Sequence, residues 1–589
     1  EQKIRQLLAD FETMPLSEDE LNRFKAKHEA DELNSLESVR GKASKLAYYQ
    51  TFTGNANYIK QDMERYMAVS KEDILRVYHT YIKNKPAVYL SIVPKGQSAL
   101  IVKPDNFKRP EWPKGFTNDL SEYKSLKYNK GEYPFEQNYR PAPGPNPTIK
   151  VPAYTTTSYN NGLRLISTEY KELPTISVHI SIKGGKMMDG LDKIGLASIT
   201  AQLMNEGTAK YTAEDLSLQL DLLGSTIDVY ATSENVEIDV FSLKKNIDHT
   251  IELLKEVLFA PRFDQDDFER IKKQQLESIA NQKNQASTIA SNVFSRMLYG
   301  EKSIWGTGVS GSEETVNSIT LDDVKRYYQD YIHPTHAYVV VVGNLTKKEV
   351  QNKFEFLKLW PSAPVTLPTF EKPKSINQTR IVFVDKPGAA QSEIRFGHAS
   401  LLWDATGDYY RAGIMNYPLG GAFNSRLNLN LREKKGYTYG VRSGFNGSKF
   451  TGTFVISGGF LLHATDSVIE EVIKDVIHYC ENGISEQELI FTKNSIGQRD
   501  ALKYETPIQK AGFMNNLLEF SLDKNFVKRQ NDILKEMRSF DINQYAKQYI
   551  HPDKMLIVVV ADKSKIWDSL KRLNLPIEEV DYTGKPVQH

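Results

Sequence analysis

One pattern recurs three times along the chain, and it restricts the fold to copies of a single unit. The copies are 69–82, 319–332 and 540–550. Each joins a polar helix start to a short helix with apolar residues at helical spacing, then breaks. An apolar run follows each copy, and Val88–Val93, Ala337–Val342 and Met555–Val560 are predicted as buried strands. The second and third copies share Tyr-Ile-His-Pro, at 331–334 and 549–552. A further match, Leu16–Leu21 against Ile484–Leu489, opens a long helix in both places.

Ile332 and Ile550 lie 218 positions apart, which sets the length of one unit. The first copy ends near residue 96, too early for a whole unit, so the chain is expected to start partway through one. The expected division is 1–96 (the rear part of a module), 97–150 (a linker), 151–374 and 375–589 (two whole modules). Pro104, Pro110, Pro113, Pro134 and the run Pro141–Pro147 make the linker extended. Within 154–345 the order is a strand at Thr175–Lys183, helices from about Gly195 and from Thr212, and strands around Ser225–Leu243. A long helix at Asp264–Gln285 follows, and 379–563 repeats the plan. Strand runs beside helix runs define an α+β class, with antiparallel sheets and helices packed on one face.

The charges balance almost completely, 75 basic against 74 acidic, so there is no electrostatic footprint for nucleic acid. No apolar run reaches the length of a membrane span. One cysteine, Cys480, excludes an intrachain disulfide framework and a cysteine-based zinc cluster, and reads as a small buried residue.

The stretch with most chemical content runs from Gly420 to Val441. A glycine turn opens an amphipathic helix, Glu433-Lys434-Lys435-Gly436 stops it, and a strand with alternate tyrosines follows. Arg432 falls at the helix end and Tyr439 just inside the strand. A guanidinium and a phenol can both donate to peptide carbonyls. On spacing alone, a surface arginine and an ordinary strand tyrosine remain the alternative. As a whole, Gly420-Gly421, Ser425-Arg426-Leu427, Leu431-Arg432-Glu433 and Gly436-Tyr437-Thr438-Tyr439 resemble the C-terminal signature of the M16 (pitrilysin, insulinase and processing-peptidase) metallopeptidases. The resemblance covers essentially the whole chain. It makes 1–96 the tail of a second module, 151–374 a third and 375–589 a fourth. It also implies that Arg432 and Tyr439 hold the substrate carbonyl and stabilise the developing oxyanion.

A catalytic M16 module carries His-x-x-Glu-His on its first long helix and a glutamate some seventy-odd residues on. Histidines four apart share a helix face and bind Zn²⁺, and the glutamate between them activates water. The matching positions here read Ser198, Ala201 and Gln202, flanked by Gly195-Leu196-Ala197 and Gly207-Thr208. Glu277 falls where the third ligand is expected and is read as a residual acid. The third module is therefore expected to be catalytically silent and the chain to bind no zinc itself.

The resemblance implies the C-terminal half of an M16 zinc metalloendopeptidase. Its zinc would sit in an N-terminal catalytic half, on the same polypeptide or in a separate subunit. A peptide or unfolded polypeptide would be the substrate. The alternative is a non-peptidase M16-like scaffold or peptide-binding subunit. The resemblance favours a periplasmic or otherwise exported location over the cytoplasm.

Overall fold

The computed structural model describes residues 2–14, 16–104, 106–107, 123, 126, 144, 151–373 and 375–587. Most of the proline-rich stretch, including Pro110, Pro113, Pro134, Pro141, Pro143, Pro145 and Pro147, lies outside the described residues. The chain divides into two bodies, one formed by 1–22 with 61–146 and the other by 23–60 with 147–589.

The larger body contains two six-stranded sheets. The first holds β1 (Thr155–Ser158), β2 (Arg164–Glu169), β3 (Thr175–Lys183), β4 (Thr226–Ala231), β5 (Asn235–Leu243) and β6 (Ala337–Gly343), in the order β1-β2-β6-β3-β5-β4. The second holds β7 (Arg380–Asp385), β8 (Gln391–Ala399), β9 (Thr438–Gly447), β10 (Gly452–Leu461), β11 (Leu556–Ala561) and β12 (Ile577–Val580), in the order β12-β7-β11-β8-β10-β9. The two orders superpose position by position, as an internal repeat requires. Only the β1/β12 edge differs: β1 runs antiparallel to β2, whereas β12 runs parallel to β7.

The repeated α+β modules are as the sequence indicates, but two details go beyond the simplest version. Each sheet is mixed, because β6 runs parallel to β2, and β11 to β7, while both are antiparallel on their other side. Helices also cover both faces of each sheet. Val339 and Val341 of β6 pack against their own module's helices, whereas Tyr338, Val340 and Val342 face Ala511, Met514, Leu517 and Leu518 of helix Pro507–Glu519, which belongs to the second module. In return, Ile289, Ala290, Val293 and Phe294 of helix Ala286–Tyr299, from the first module, lie on Val382, Val384, Leu556, Val558 and Val560 of the second sheet. Each module thus lends the other one helix. This is why β6 and β11 read as unbroken apolar runs: both faces are covered, so nothing alternates.

The repeated helix starts are capping boxes in two copies. Ser70 with Asp73, and Thr320 with Asp323, exchange side-chain and backbone bonds. In the third copy the cap position is Arg538, and Asp541 accepts its N–H at 2.9 Å. The two matching long helices, Glu18–Ser35 and Glu486–Arg499, also open alike, Ser17 with Glu20 and Ser485 with Glu488.

In the smaller body, Tyr78 of helix Lys71–Tyr81 donates its hydroxyl to Leu8 O at 2.5 Å and packs on Phe11. The expected strand Val88–Val93 is not formed. The segment has no regular structure and joins neither sheet, with Val88 97%, Leu90 81% and Ile92 87% exposed. The physical reason is the missing neighbours. β6 and β11 are strands because β2 and β3, or β7 and β8, flank them, and among the described residues no strand flanks 88–93.

Candidate functional site

The helix matching the metal-binding helix, Leu196–Met204, starts at Gly195, whose φ of +112° suits glycine. The buried Asp189 carboxylate accepts the N–H groups of Gly195 and Ala197, each at 2.9 Å. Burial nevertheless pushes its pKa up to about 7. One turn apart, Ser198 and Gln202 face helix Gln265–Gln282. There Ser198 Oγ donates to Gln275 Oε1 at 3.1 Å, and Gln202 Nε2 donates to the same oxygen at 2.8 Å and to Ser198 Oγ at 3.2 Å. Gln275 Nε2 in turn donates to Ser310 O at 2.9 Å. Ala201 is fully buried and brings no acid.

The residue meeting the motif is therefore Gln275 and not Glu277, which points to solvent. Helical phase carried the missing signal. Gln275 extends the buried stripe of Phe268 and Ile271, whereas Glu277 sits off it. A hydroxyl and two carboxamides, neutral and already bonded to one another, do not fit Zn²⁺, which is bound by thiolate, imidazole or carboxylate. Among the described residues no three His, Cys, Asp or Glu side chains are grouped so as to hold a metal ion.

The Gly420 stretch departs from the expected continuous helix. Helix Asp408–Asn416 runs into a π-turn at Tyr417–Gly421, and one α-turn, Arg426–Asn428, leads into a second π-turn at Leu429–Lys434. Most of its residues fix this path. A Cβ on Gly420 would lie 2.2 Å from Ser443 Oγ, so only glycine lets β9 approach. Asn428 accepts the Val441 N–H at 2.9 Å, and Asn416 donates to Ser443 O at 2.8 Å. Arg426 grips Glu488 at 2.7 and 2.9 Å. Burial would raise Glu488, but Arg426 and the Ser485 N–H outweigh it and bring its pKa to about 2. Leu427 and Leu431 are fully buried.

These anchors use neither Arg432 nor Tyr439. The Arg432 guanidinium lies 4.5 Å from the centre of the Phe423 ring and pairs with Glu433. Tyr439, on the edge strand β9, is 89% exposed, and its hydroxyl has no hydrogen-bond partner among the described residues. No hydrogen bond joins the two side chains. Cys480 is buried with its thiol pushed up to about 11 by burial, which makes it inert.

Two mixed-sheet modules of one plan, the first with Ser198, Ala201 and Gln202 at the positions matched to a metal motif and the second with Arg432 in a π-turn and Tyr439 on an edge strand, define an M16-type pair of modules. The chain belongs to the M16 peptidase family: residues 164–304 match the model described as insulinase (peptidase family M16), and 318–496 the one described as peptidase M16 inactive domain. It is similar to a Helicobacter pylori protein named non-peptidase homolog YmxG, at 25% identity over 408 residues, 68% of this chain and 92% of that one. A Bacillus subtilis protein named uncharacterized zinc protease YmxG is 22% identical over 402 residues, 68% of this chain and 96% of the relative. Among solved structures, the peptidase M16 inactive domain from Pseudomonas fluorescens gives a TM-score of 0.64 at 23% identity, covering 69% of this chain and 98% of its own. A protease from Helicobacter pylori also gives 0.64, at 17% identity, over 70% and 100%.

Proposed function

We propose that this chain is the gripping, non-catalytic half of an M16 zinc metalloendopeptidase. A catalytic M16 module, whether on a longer form of this polypeptide or in a partner subunit, supplies the zinc. The chain closes the substrate chamber, and Arg432 and Tyr439 hold carbonyl oxygens of the bound peptide, the first after exchanging Glu433 for the ligand. The observation that carries this reading is the contrast between the two modules: Ser198, Gln202 and Gln275 are spent on one another, while Tyr439 is exposed and unspent. A chain that served only as framework has no use for a solvent-facing phenol on an edge strand.

The second reading, a non-peptidase peptide-binding scaffold, is favoured by the name of the Helicobacter pylori relative. One experiment separates the two. The purified chain should contain no stoichiometric zinc by elemental analysis and cleave no unfolded polypeptide. Mixed with a catalytic M16 module from the same source, it should raise that module's peptide turnover about tenfold or more. Zinc in the chain alone excludes both readings, and peptide binding without any gain in turnover selects the scaffold.

A further inference from the structure

A polar cavity of about 440 Å³ lies where the two modules of the larger body meet. The first module contributes Lys186, Asn292 and Ser295, and the second Arg395, Asn446 and Thr453. No carboxylate is among its lining residues. Lys186 is only 3% exposed, yet among the described residues its ammonium has a single hydrogen-bond acceptor, Thr307 O at 2.5 Å, besides the Trp305 ring 5.5 Å away. The acid next along the chain, Asp189, is committed to two backbone N–H groups. Burial therefore draws the Lys186 pKa down to about 8. Arg395 reaches the same cavity from β8; its guanidinium donates to Ile394 O at 3.1 Å, to Glu393 at 3.3 Å and to Ser287 O at 3.5 Å, which leaves further N–H groups for a ligand. The side chains of Ser295, Asn446 and Thr453 make no hydrogen bond among the described residues.

A buried cation with unspent donors is costly, and a charge-assisted bond to an anion removes that cost. The geometry points to a small-oxyanion site in this cavity, in which one carboxylate or phosphate bridges Lys186 of the first module to Arg395 of the second. Hydroxyls and amides complete the shell, as they do around carboxylate and phosphate ligands generally. Occupancy ties the modules together, so the ligand stabilises the larger body as a whole. The site shares no residue with Arg432 or Tyr439 and does not depend on their role.

Isothermal titration at constant ionic strength, with chloride as the balancing salt, tests this on the whole chain. The probes are inorganic phosphate, trialanine with a free C-terminus and trialanine amide. One saturable site per chain is expected for phosphate or for the free-acid peptide, and none for the amide. Whichever of the two saturates identifies the source of the oxyanion. Lys186→Gln removes a strained charge and should fold normally; it and Arg395→Gln should each weaken binding about tenfold or more. A melting curve on each variant reports folding. No saturation by either anion, equal binding of the amide, or binding untouched by both substitutions in folded protein overturns the proposal.

Discussion

At the scale of single residues, the two side chains assigned to the substrate contribute little to the fold. Tyr439→Phe removes one hydroxyl from a side chain already in solvent. Arg432→Ala loses a surface ring contact and a surface ion pair, together worth under about 1 kcal/mol. Melting temperatures should stay within experimental error, while peptide turnover by the assembled enzyme falls tenfold or more in each variant; unchanged turnover removes both from the site. The family was legible in the sequence because the stretch around the pair is a long ordered signature, and the role given to the pair is the proposal. The absence of His-x-x-Glu-His was legible for the same reason, since Gly195 and Gly207 frame the motif. What replaced the third ligand was not, because a count of seventy-odd residues cannot choose between Gln275 and Glu277, which lie two apart on one helix. The stripe of Phe268, Ile271 and Gln275 chooses, and it shows only when helical phase is followed to the buried face.

At the scale of elements, the least legible feature was the exchange of helices. Nothing local to Pro507–Glu519 says that its apolar face meets a sheet some 170 residues earlier in the chain, since amphipathicity names a face and not its partner. Met514 is fully buried in that contact and Val293 in the reciprocal one. Met514→Ala should cost about 2–5 kcal/mol in denaturant unfolding, and the effect should be felt by the first module as well as the second. A loss confined to the second module would show that the exchanged helix is dispensable to the sheet it covers. The π-turns were equally hidden, because Leu427 and Leu431 keep ordinary helical spacing and only Gly420 against Ser443 betrays the altered path. Elsewhere in the first sheet, His179 of β3 pairs across the ladder with Asp239 of β5 at 2.7 Å and lies 3.3 Å from Glu237, while Tyr230 of β4 donates to the same aspartate. Burial opposes the imidazolium, but Asp239 and Glu237 outweigh it and raise the His179 pKa above 6.5, while Asp239 is held below 3.8. The histidine's contribution is complete below pH 6.5 and fades as pH rises through its folded value. The aspartate's is complete above pH 3.8 and fades as pH falls through its own. The stability gap between wild type and His179→Gln should therefore be widest between those values and narrow toward pH 9, as read from urea midpoints; a gap that does not depend on pH would mean the imidazole is neutral.

At the scale of the whole molecule, the second and third copies of the repeat show what the first lacks. Helices Leu321–Tyr331 and Ser539–Tyr549 each lead into a strand held between two neighbours, whereas Lys71–Tyr81 leads into Val88–Val93, which has none among the described residues. The sequence disclosed the repeat and hence the strand, but a strand is a property of a pair, and one member of a pair cannot state whether the other is present. Unsatisfied backbone donors and apolar side chains in alternate exposed positions make this segment a template for strand addition. The smaller body also has an apolar groove of about 750 Å³, lined by Leu7, Leu8, Val77 and Ile82. In the complete repeats, the helices equivalent to Lys71–Tyr81 pack against the first helix of their own module, at Leu196–Met204 and Asp408–Asn416. Residues that supply the front part of this module should therefore place two strands on Val88–Val93 and one helix in the groove. Hydrogen exchange on the chain alone should show the amides of 88–93 turning over freely, and on a polypeptide that carries the rest of the module it should show them slowed to rates like those of β6 and β11. Amides that stay fast in a form competent for peptide cleavage would mean that the module closes elsewhere, leaving the first copy of the repeat without the role its two siblings play.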